Sequence, residues 1–209
     1  ADIKFDEFFF GSHGFSRRIK GSIESIERIS RKDLVAYHKN VFTKDNIVIG
    51  VAGNISEKEV KQYISMVFGN LPSVGNQRKL STFNSLKMGE EVFEMDTPQT
   101  TVVFGQPGIS RTEKNYFVAR IANYILGGGG FQSRLYKEIR EKRGLVYSIY
   151  SYLDSYKMDG VIVGGFQTRN HSVMDTIEMV KGEWSKISSS GVTSRELQDA
   201  KTYYKGSFS

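Results

Sequence analysis

The chain has 209 residues, a formal net charge of +6 and no cysteine. A chain of this length can form a hydrophobic core large enough to fold without disulfides or a structural metal. The lack of cysteine excludes disulfides and thiolate metal sites. No apolar run reaches the length of a membrane span, and no leader pattern is seen, so we expect no membrane partner. Together with the missing cysteines, this favours the bacterial cytoplasm as the location.

The positive charge is spread along the chain, which favours solubility as its main role. The densest basic segment runs from Arg134 to Arg143 and also contains Glu138 and Glu141. No recognised nucleic-acid motif accompanies it, so an acidic or carbonyl-rich substrate is a better second reading than nucleic acid. We expect no nucleic-acid partner.

In the first third of the chain, the sequence pattern predicts a helix, then a strand, then a second helix. An aromatic patch near Phe8 reads as a satellite cluster of the core. Ser30 to Phe42 reads as a capped helix, and Ile47 to Ala52 reads as a strand. Ser56 and Glu59 then form a capping box for a second amphipathic helix.

Residues 72–89 change character, because they are rich in small polar residues and lack periodicity. Such a stretch is typical of a linker or a functional loop. We therefore predict three segments: residues 1–72 as the end of one half, 73–90 as a linker, and 91–209 as the start of the other half.

The rest of the chain alternates between strand and helix patterns. The predicted fold class is α/β (α+β), in two layers, with antiparallel sheets that carry helices on one face. A hairpin is expected between the strands Leu145–Leu153 and Gly160–Phe166. The other predicted elements are the strands Glu91–Met95 and Thr100–Gly105, the helices Thr112–Leu126 and Ser172–Ile187, and a last helix capped by Thr193 and Glu196.

The most informative stretch begins at the glycines Gly127, Gly128, Gly129 and Gly130 and continues to Tyr152. Glycines let a ligand's main chain come close. A short basic helix follows, with Ser133 as its N-cap and Gly144 as its C′ residue, and it runs into a tyrosine-rich strand. A flexible loop, a basic helix and a strand edge in succession suit a surface that binds an extended peptide.

Arg140 and Tyr147 lie on either side of the turn at Gly144, which can bring them to one point. An arginine can donate to a carbonyl or carboxylate, and a tyrosine hydroxyl can donate to a developing oxyanion. The residues alone leave a second interpretation open, in which these are a surface arginine and a half-buried strand tyrosine.

The segment GGGGFQSRLYKEIREKRGLVYSIYS resembles the second half of zinc peptidases of the mitochondrial processing peptidase, pitrilysin and insulysin family. The segment from Ser22 to Phe42, with the following TKDNIVIGVAGNI, resembles the end of that family's first half. Glu196 to Ser207 resembles a helix late in its second half. The resemblance covers nearly the whole chain and implies two similar halves that close into a chamber.

The resemblance also implies roles for the candidate residues. Tyr147 would donate to the oxyanion formed when zinc-bound hydroxide attacks the scissile carbonyl, and Arg140 would hold a substrate carbonyl or carboxylate. Both residues and the glycines, Gly127 to Gly130, are therefore the predicted substrate-binding residues. Zinc in this family is held by an H-x-x-E-H motif, which this chain lacks. We expect no metal ligand here and no activity from this chain alone.

Three interpretations of function remain open. The first is a central fragment of a zinc endopeptidase that supplies the substrate contacts of the second half. The second is a non-catalytic core or regulatory subunit of the same fold. The third is an unrelated peptide- or nucleic-acid-binding module. The partners expected under the first are a peptide substrate and the remaining parts of its own chain, with a homo- or heterodimer as an open alternative.

Overall fold

The computed structural model describes residues 1–76, 81–83 and 86–207. It divides the chain into two compact units. The sheet unit contains residues 1–17 and 81–209, and the helical unit contains residues 18–80. The α-helices are α1 (Asp2–Phe10), α2 (Ile23–Glu27), α3 (Arg31–Val41), α4 (Glu57–Phe68), α5 (Tyr116–Asn123), α6 (Val173–Ser190) and α7 (Ser194–Gly206). Short 3₁₀ turns are found at Gly14–Ser16, Lys44–Asn46, Gly130–Gln132 and Asn170–Ser172, and π-helical turns at Tyr124–Gly128 and Tyr136–Glu141.

The sheet unit is built on an antiparallel sheet of β1 (Gln99–Pro107), β2 (Val146–Ser155) and β3 (Gly160–Arg169), in the order β1-β3-β2. The predicted hairpin is confirmed, since β2 and β3 pair directly. Their register shifts between Val146 and Ile149, which marks a β-bulge near the start of β2. The predicted mixture of helices and antiparallel sheet is confirmed.

The core of the sheet unit lies on both faces of the sheet. On one face Ile149 and Phe166 pack with Leu126, Leu135 and residues of α6. On the other face α1 covers the sheet, and its Phe9 and Phe10 pack on Val161 and Val163. Side chains alternate between faces along a strand, so neighbouring residues of β3 serve the two clusters. The predicted aromatic patch is thus a helix that covers the second face.

The helical unit holds its helices by local interactions. Ser30 with Asp33 and Ser56 with Glu59 form the capping boxes of α3 and α4. Among its described residues only Thr43 is buried, and the apolar residue Leu34 on α3 is 60% exposed. The predicted helices are present, but the faces that the pattern marked as core are not covered within the described unit.

Two predicted strands are wrong: Ile47–Ala52 and Glu91–Met95 are both irregular. Each has the composition of a strand, but a strand forms only beside a partner that takes up its backbone hydrogen bonds. No such partner lies beside either segment within the described residues. Composition therefore indicated two extended segments, but it could not show whether another strand lies beside them to pair with.

The compact units do not coincide with the predicted segments, because residues 1–17 pack with the sheet unit through the phenylalanines of α1. The predicted division into 1–72, 73–90 and 91–209 concerns the halves of a longer protein and stays a prediction. Residues 77–80 and 84–85 of the predicted linker lie outside the described part of the chain. Over that described part, no helix has the length and apolar content that a membrane crossing requires.

Candidate functional site

The basic segment begins as the sequence predicted, with Ser133 at its start. The amide of Tyr136 donates to the Ser133 hydroxyl oxygen at 3.4 Å, and that hydroxyl donates to the Gly130 carbonyl at 2.8 Å. Leu135 and Ile139, both fully buried, anchor the segment to the core. It ends before Gly144, whose φ of +61° is the left-handed conformation expected of a C′ glycine. These contacts fix the position of Arg140.

Arg140 contacts the backbone of Tyr147. Its Nε donates to the Tyr147 carbonyl oxygen at 3.2 Å, and its guanidinium carbon lies 4.9 Å from the centre of the Tyr136 ring. The turn at Gly144 therefore does bring the arginine to Tyr147, although to its main chain and not to its hydroxyl. Among the described residues no other hydrogen bond and no ion pair engages this guanidinium, so its Nη groups can reach a ligand.

The β-bulge determines where the Tyr147 side chain lies. Val146 and Ile149 both enter the core, at 6% and 3% exposure, although they are three positions apart. A regular strand would send two such residues to opposite faces, so the bulge absorbs one extra residue. As a result, neither Tyr147 nor Ser148 enters the core, and Tyr147 is 87% exposed. The alternative of a half-buried strand tyrosine is therefore wrong.

The predicted substrate-binding glycines have structural reasons to be glycine. A Cβ on Gly127 would lie 2.8 Å from the Ser151 backbone nitrogen, and one on Gly128 would lie 2.9 Å from the Asn123 amide nitrogen. A Cβ on Gly129 would lie 2.8 Å from the Tyr124 carbonyl oxygen, and Gly130 has a φ of +55°. Gly128 and Gly130 are nevertheless exposed, so their predicted contact with substrate stays a prediction.

A buried polar pair, Asn123 and Ser151, holds the glycine segment on the sheet. The Asn123 amide donates to the Ser151 carbonyl oxygen at 3.1 Å, and the Ser151 hydroxyl donates to the Asn123 side-chain oxygen at 2.8 Å. Both residues are buried, and a buried polar group needs such a partner. Sequence reasoning missed this pair, because an asparagine within an amphipathic helix carries no signal of its partner on a distant strand.

The other two arginines of the basic segment, Arg134 and Arg143, are paired with carboxylates. The Lys142 ammonium, with a further contribution from Arg143, holds the pKa of the Glu138 carboxyl below its ordinary value. Arg143 also donates to the Glu138 carbonyl oxygen at 2.6 Å. Arg134 donates to both carboxylate oxygens of Glu196, at 2.6 and 2.8 Å. Arg140 is therefore the arginine of the basic segment that has no carboxylate partner among the described residues.

The ion pair between Arg134 and Glu196 joins the basic segment to the last helix, α7. The Arg134 guanidinium, assisted by the backbone amide and hydroxyl of Thr193, lowers the pKa of Glu196 to about 2. The sequence marked Glu196 only as part of a capping box, which is confirmed. Its bond to Arg134 was missed, since no local pattern links two residues that far apart.

The described residues of this chain offer no group of ligands that fits a zinc ion. Across the described ranges, no group of three histidine, aspartate or glutamate side chains is placed to hold a metal. His13 is engaged on both ring nitrogens: it accepts from the Phe15 amide at 3.2 Å, and its Nε2 lies 3.1 Å from the Ser81 carbonyl oxygen. We therefore derive no catalytic step through a metal on this chain.

Comparison with known proteins identifies the family. The family model of the peptidase M16 inactive domain matches residues 28–204. The chain therefore belongs to the M16 peptidase family, as its resemblance to the zinc peptidases indicated. A crystal structure of a peptidase M16 inactive domain from Pseudomonas fluorescens superposes with a TM-score of 0.92 at 30% identity, over 99% of this chain and 50% of that one.

Relatives with curated names differ in what their names claim. A Bacillus subtilis protein named uncharacterized zinc protease YmxG is 29% identical over 95% of this chain and 48% of its own length. A Helicobacter pylori protein named non-peptidase homolog YmxG is 27% identical over 99% of this chain and 48% of its own length. The chain thus spans about half the length of the curated relatives that it matches.

Proposed function

We propose that this chain is the part of an M16 peptidase that contacts the peptide substrate, with the hydrolytic centre carried by residues outside these 209. The observation that supports it best is the pairing of Arg140 with Tyr147. The arginine is fixed at the base of a tyrosine whose side chain is 87% exposed. A zinc ion held by those other residues would supply the Lewis acid and the activated water.

The two side chains would act on different atoms of the peptide. The Tyr147 hydroxyl would donate a hydrogen bond to the oxygen of the scissile carbonyl as negative charge develops on it. The Nη groups of Arg140 would donate to a neighbouring carbonyl or carboxylate of the substrate. Because Nε of Arg140 already binds the Tyr147 carbonyl at 3.2 Å, the Arg140 guanidinium is oriented beside the Tyr147 main chain before substrate arrives.

The test is peptide cleavage by the full-length protein. Tyr147→Phe should lower kcat by about 10²–10³, the usual loss when one oxyanion donor is removed, with unchanged zinc content and stability. Arg140→Ala should raise KM as well as lower kcat. The assay is steady-state cleavage of a quenched fluorescent peptide, with metal content and melting temperature measured on each variant.

Arg143→Ala is the matched control. Arg143 lies in the same basic segment, but it is engaged with Glu138 and does not contact Tyr147 among the described residues. It should therefore alter kcat and KM much less than Arg140→Ala. Equal losses in the two arginine variants would indicate general electrostatic attraction, and full activity in Tyr147→Phe would contradict the oxyanion role.

The second candidate is a non-catalytic subunit that keeps the fold and binds peptide without cleaving it. The name of the Helicobacter pylori relative favours it, as does the family model of an inactive domain. The two functions differ in one observation. A full-length protein that retains zinc after dialysis and loses peptide cleavage with a chelator is a peptidase, whereas one that binds peptide and does neither is a non-catalytic subunit.

A further inference from the structure

The outer face of β2, away from the helical core, carries a row of exposed tyrosines. Tyr150 pairs opposite Gly165 and Tyr152 opposite Val163, which places both on the face opposite to the buried Ile149 and Ser151. Their rings are parallel within 9°, with centres 5.9 Å apart, and they are 44% and 43% exposed. The bulge adds Tyr147 to the residues that leave the core.

Gly165 makes room for this row. A Cβ there would lie 3.2 Å from the Tyr150 hydroxyl oxygen and 3.5 Å from its ring, so the Tyr150 ring lies across the bare backbone of β3. The phenylalanines of α1 cover the neighbouring part of the same face, at Val161 and Val163. They leave the tyrosine row open. The result is an exposed aromatic platform with a helix along one side.

The two ends of the platform differ in charge. At one end stands Arg140, bound to the Tyr147 carbonyl, with no ion pair among the described residues. At the other end Asp154 follows Tyr152 on the same face, opposite Val161. Burial, followed by the carboxylates of Asp154, Asp2 and Asp6, raises the pKa of Tyr152, so these acids lie near that end. No ion pair engages Asp6 or Asp154 within the described ranges.

We propose that Tyr147, Tyr150 and Tyr152 form a binding platform for an extended segment of a peptide substrate, between a cationic end at Arg140 and an anionic end at Asp154 and Asp6. The peptide would stack an aromatic side chain on Tyr150 and Tyr152, place a basic side chain beside the aspartates and present a carbonyl or carboxylate to Arg140. Strand geometry makes the row about 20 Å long, which fits an extended segment of roughly six residues.

This platform rests on the proposed function, because it names the substrate chemistry of the same surface. It also adds residues that neither the family resemblance nor the comparisons assign. The bulge links the Arg140 end of the platform to the tyrosine row. It keeps the Tyr147 side chain out of the core, next to the main-chain contact of Arg140. After the bulge the strand alternates regularly, so that Tyr150 and Tyr152 lie on the exposed face.

Binding to the intact 209-residue chain tests the platform. The probe is a fluorescein-labelled peptide of roughly seven residues, with lysine at one end, phenylalanine in the middle, glutamate at the other end and alanine elsewhere. Its Kd is measured by fluorescence anisotropy. Replacing the phenylalanine by alanine, or the lysine by glutamate, should each weaken binding about tenfold.

Variants of the chain test the same contacts from the other side. Tyr150→Ser with Tyr152→Ser, and Asp154→Asn, should each weaken binding of the full probe about tenfold. The matched controls are Tyr63→Ser, an exposed tyrosine on α4, and Asp96→Asn, an exposed aspartate outside the platform. If the double variant does not fold, Tyr152→Ala and the peptide series still decide the question.

The outcomes separate this platform from the proposed function. Equal affinity for all the peptides, or for the platform and control variants, overturns the platform. Concentration-dependent self-association that Tyr150→Ser abolishes and peptide does not displace also overturns it, because the face would then join two copies. Normal peptide binding with a Tyr147→Phe enzyme of full activity would contradict the oxyanion role alone and support the platform.

Discussion

Arg134 and Glu196 show how one long-range contact changes a residue that the sequence had marked for a local task. Glu196 caps α7 by accepting from the Thr193 amide at 2.7 Å, while both its oxygens accept from Arg134. With a folded-state pKa of about 2, below the ordinary 4.5, Glu196 favours the folded state whenever it is ionised.

The sign of the pH dependence follows from this. Stability from Glu196 is fully present above pH 4.5 and is lost as pH falls through about 2. We predict a loss on the order of 2 kcal/mol over this window, discounted for the partial exposure of the pair. Urea unfolding at several pH values measures it. In Glu196→Gln the acid-dependent loss should shrink, and an unchanged pH profile would contradict the assignment.

Gly127 is a residue whose missing side chain matters for packing. We predict that Gly127→Ala costs about 1–3 kcal/mol, because its Cβ would lie 2.8 Å from the Ser151 backbone nitrogen, which cannot rotate away. Gly182→Ala is the control: it lies within α6 with nothing within 4 Å of its Cβ, and should stabilise by about 1 kcal/mol. Denaturant unfolding of both variants checks the pair, and equal effects would contradict the packing argument.

At the scale of elements, the bulge in β2 is the feature that local pattern could not reveal. The sequence predicted a strand at Leu145–Leu153, and β2 occupies Val146–Ser155. Simple alternation would have put Val146 and Ile149 on opposite faces. Both are buried on the same face because the Leu135 and Ile139 side of the core accepts both. The position of Tyr147 therefore depends on packing, not on the pattern of its own strand.

Helix α1 is a second element whose role depends on its neighbours. We predict that Phe9→Ala destabilises the sheet unit by about 3–5 kcal/mol, since Phe9 is 2% exposed and packs on the outer face of the sheet. Phe117→Ala, at 61% exposure on α5, should cost much less. Chemical denaturation followed by circular dichroism measures both. Similar values for the two variants would mean that α1 does not contribute to the core.

At the scale of the whole molecule, the two units differ in how they are stabilised. The sheet unit has two buried apolar clusters, whereas only Thr43 is buried among the described residues of the helical unit. Helices of that length are marginal in water without tertiary packing, even when well capped. On α4, Met66 and Val67 are 72% and 62% exposed.

We predict that the amides of α3 and α4 exchange with solvent much faster than those of β3 and α6 in the 209-residue chain. The reason is that local opening of a capped helix exposes little additional apolar surface, while opening β3 disrupts both clusters. Hydrogen–deuterium exchange with mass spectrometry measures the difference directly. Comparable protection in the two units would show that the helical unit has a core of its own.

The sequence by itself determined the local features of this protein. Capping boxes, the C′ glycine at position 144 and the β2–β3 hairpin could all be predicted from patterns that lie within a few residues. Each depends on hydrogen bonds or turns between near neighbours. These patterns also placed Arg140 and Tyr147 on opposite sides of one turn.

Only the tertiary structure decided which groups meet. It directed Arg140 to the Tyr147 carbonyl, paired Asn123 with Ser151 and Arg134 with Glu196, and left Ile47–Ala52 without a strand partner among the described residues. Apart from Arg140 and Tyr147, which are seven residues apart across one turn, each of these depends on residues far apart in the chain. Local sequence fixes backbone preference, but the pairing of distant groups follows from how the core packs. One extra residue in a strand moves every later side chain of that strand to the opposite face of the sheet.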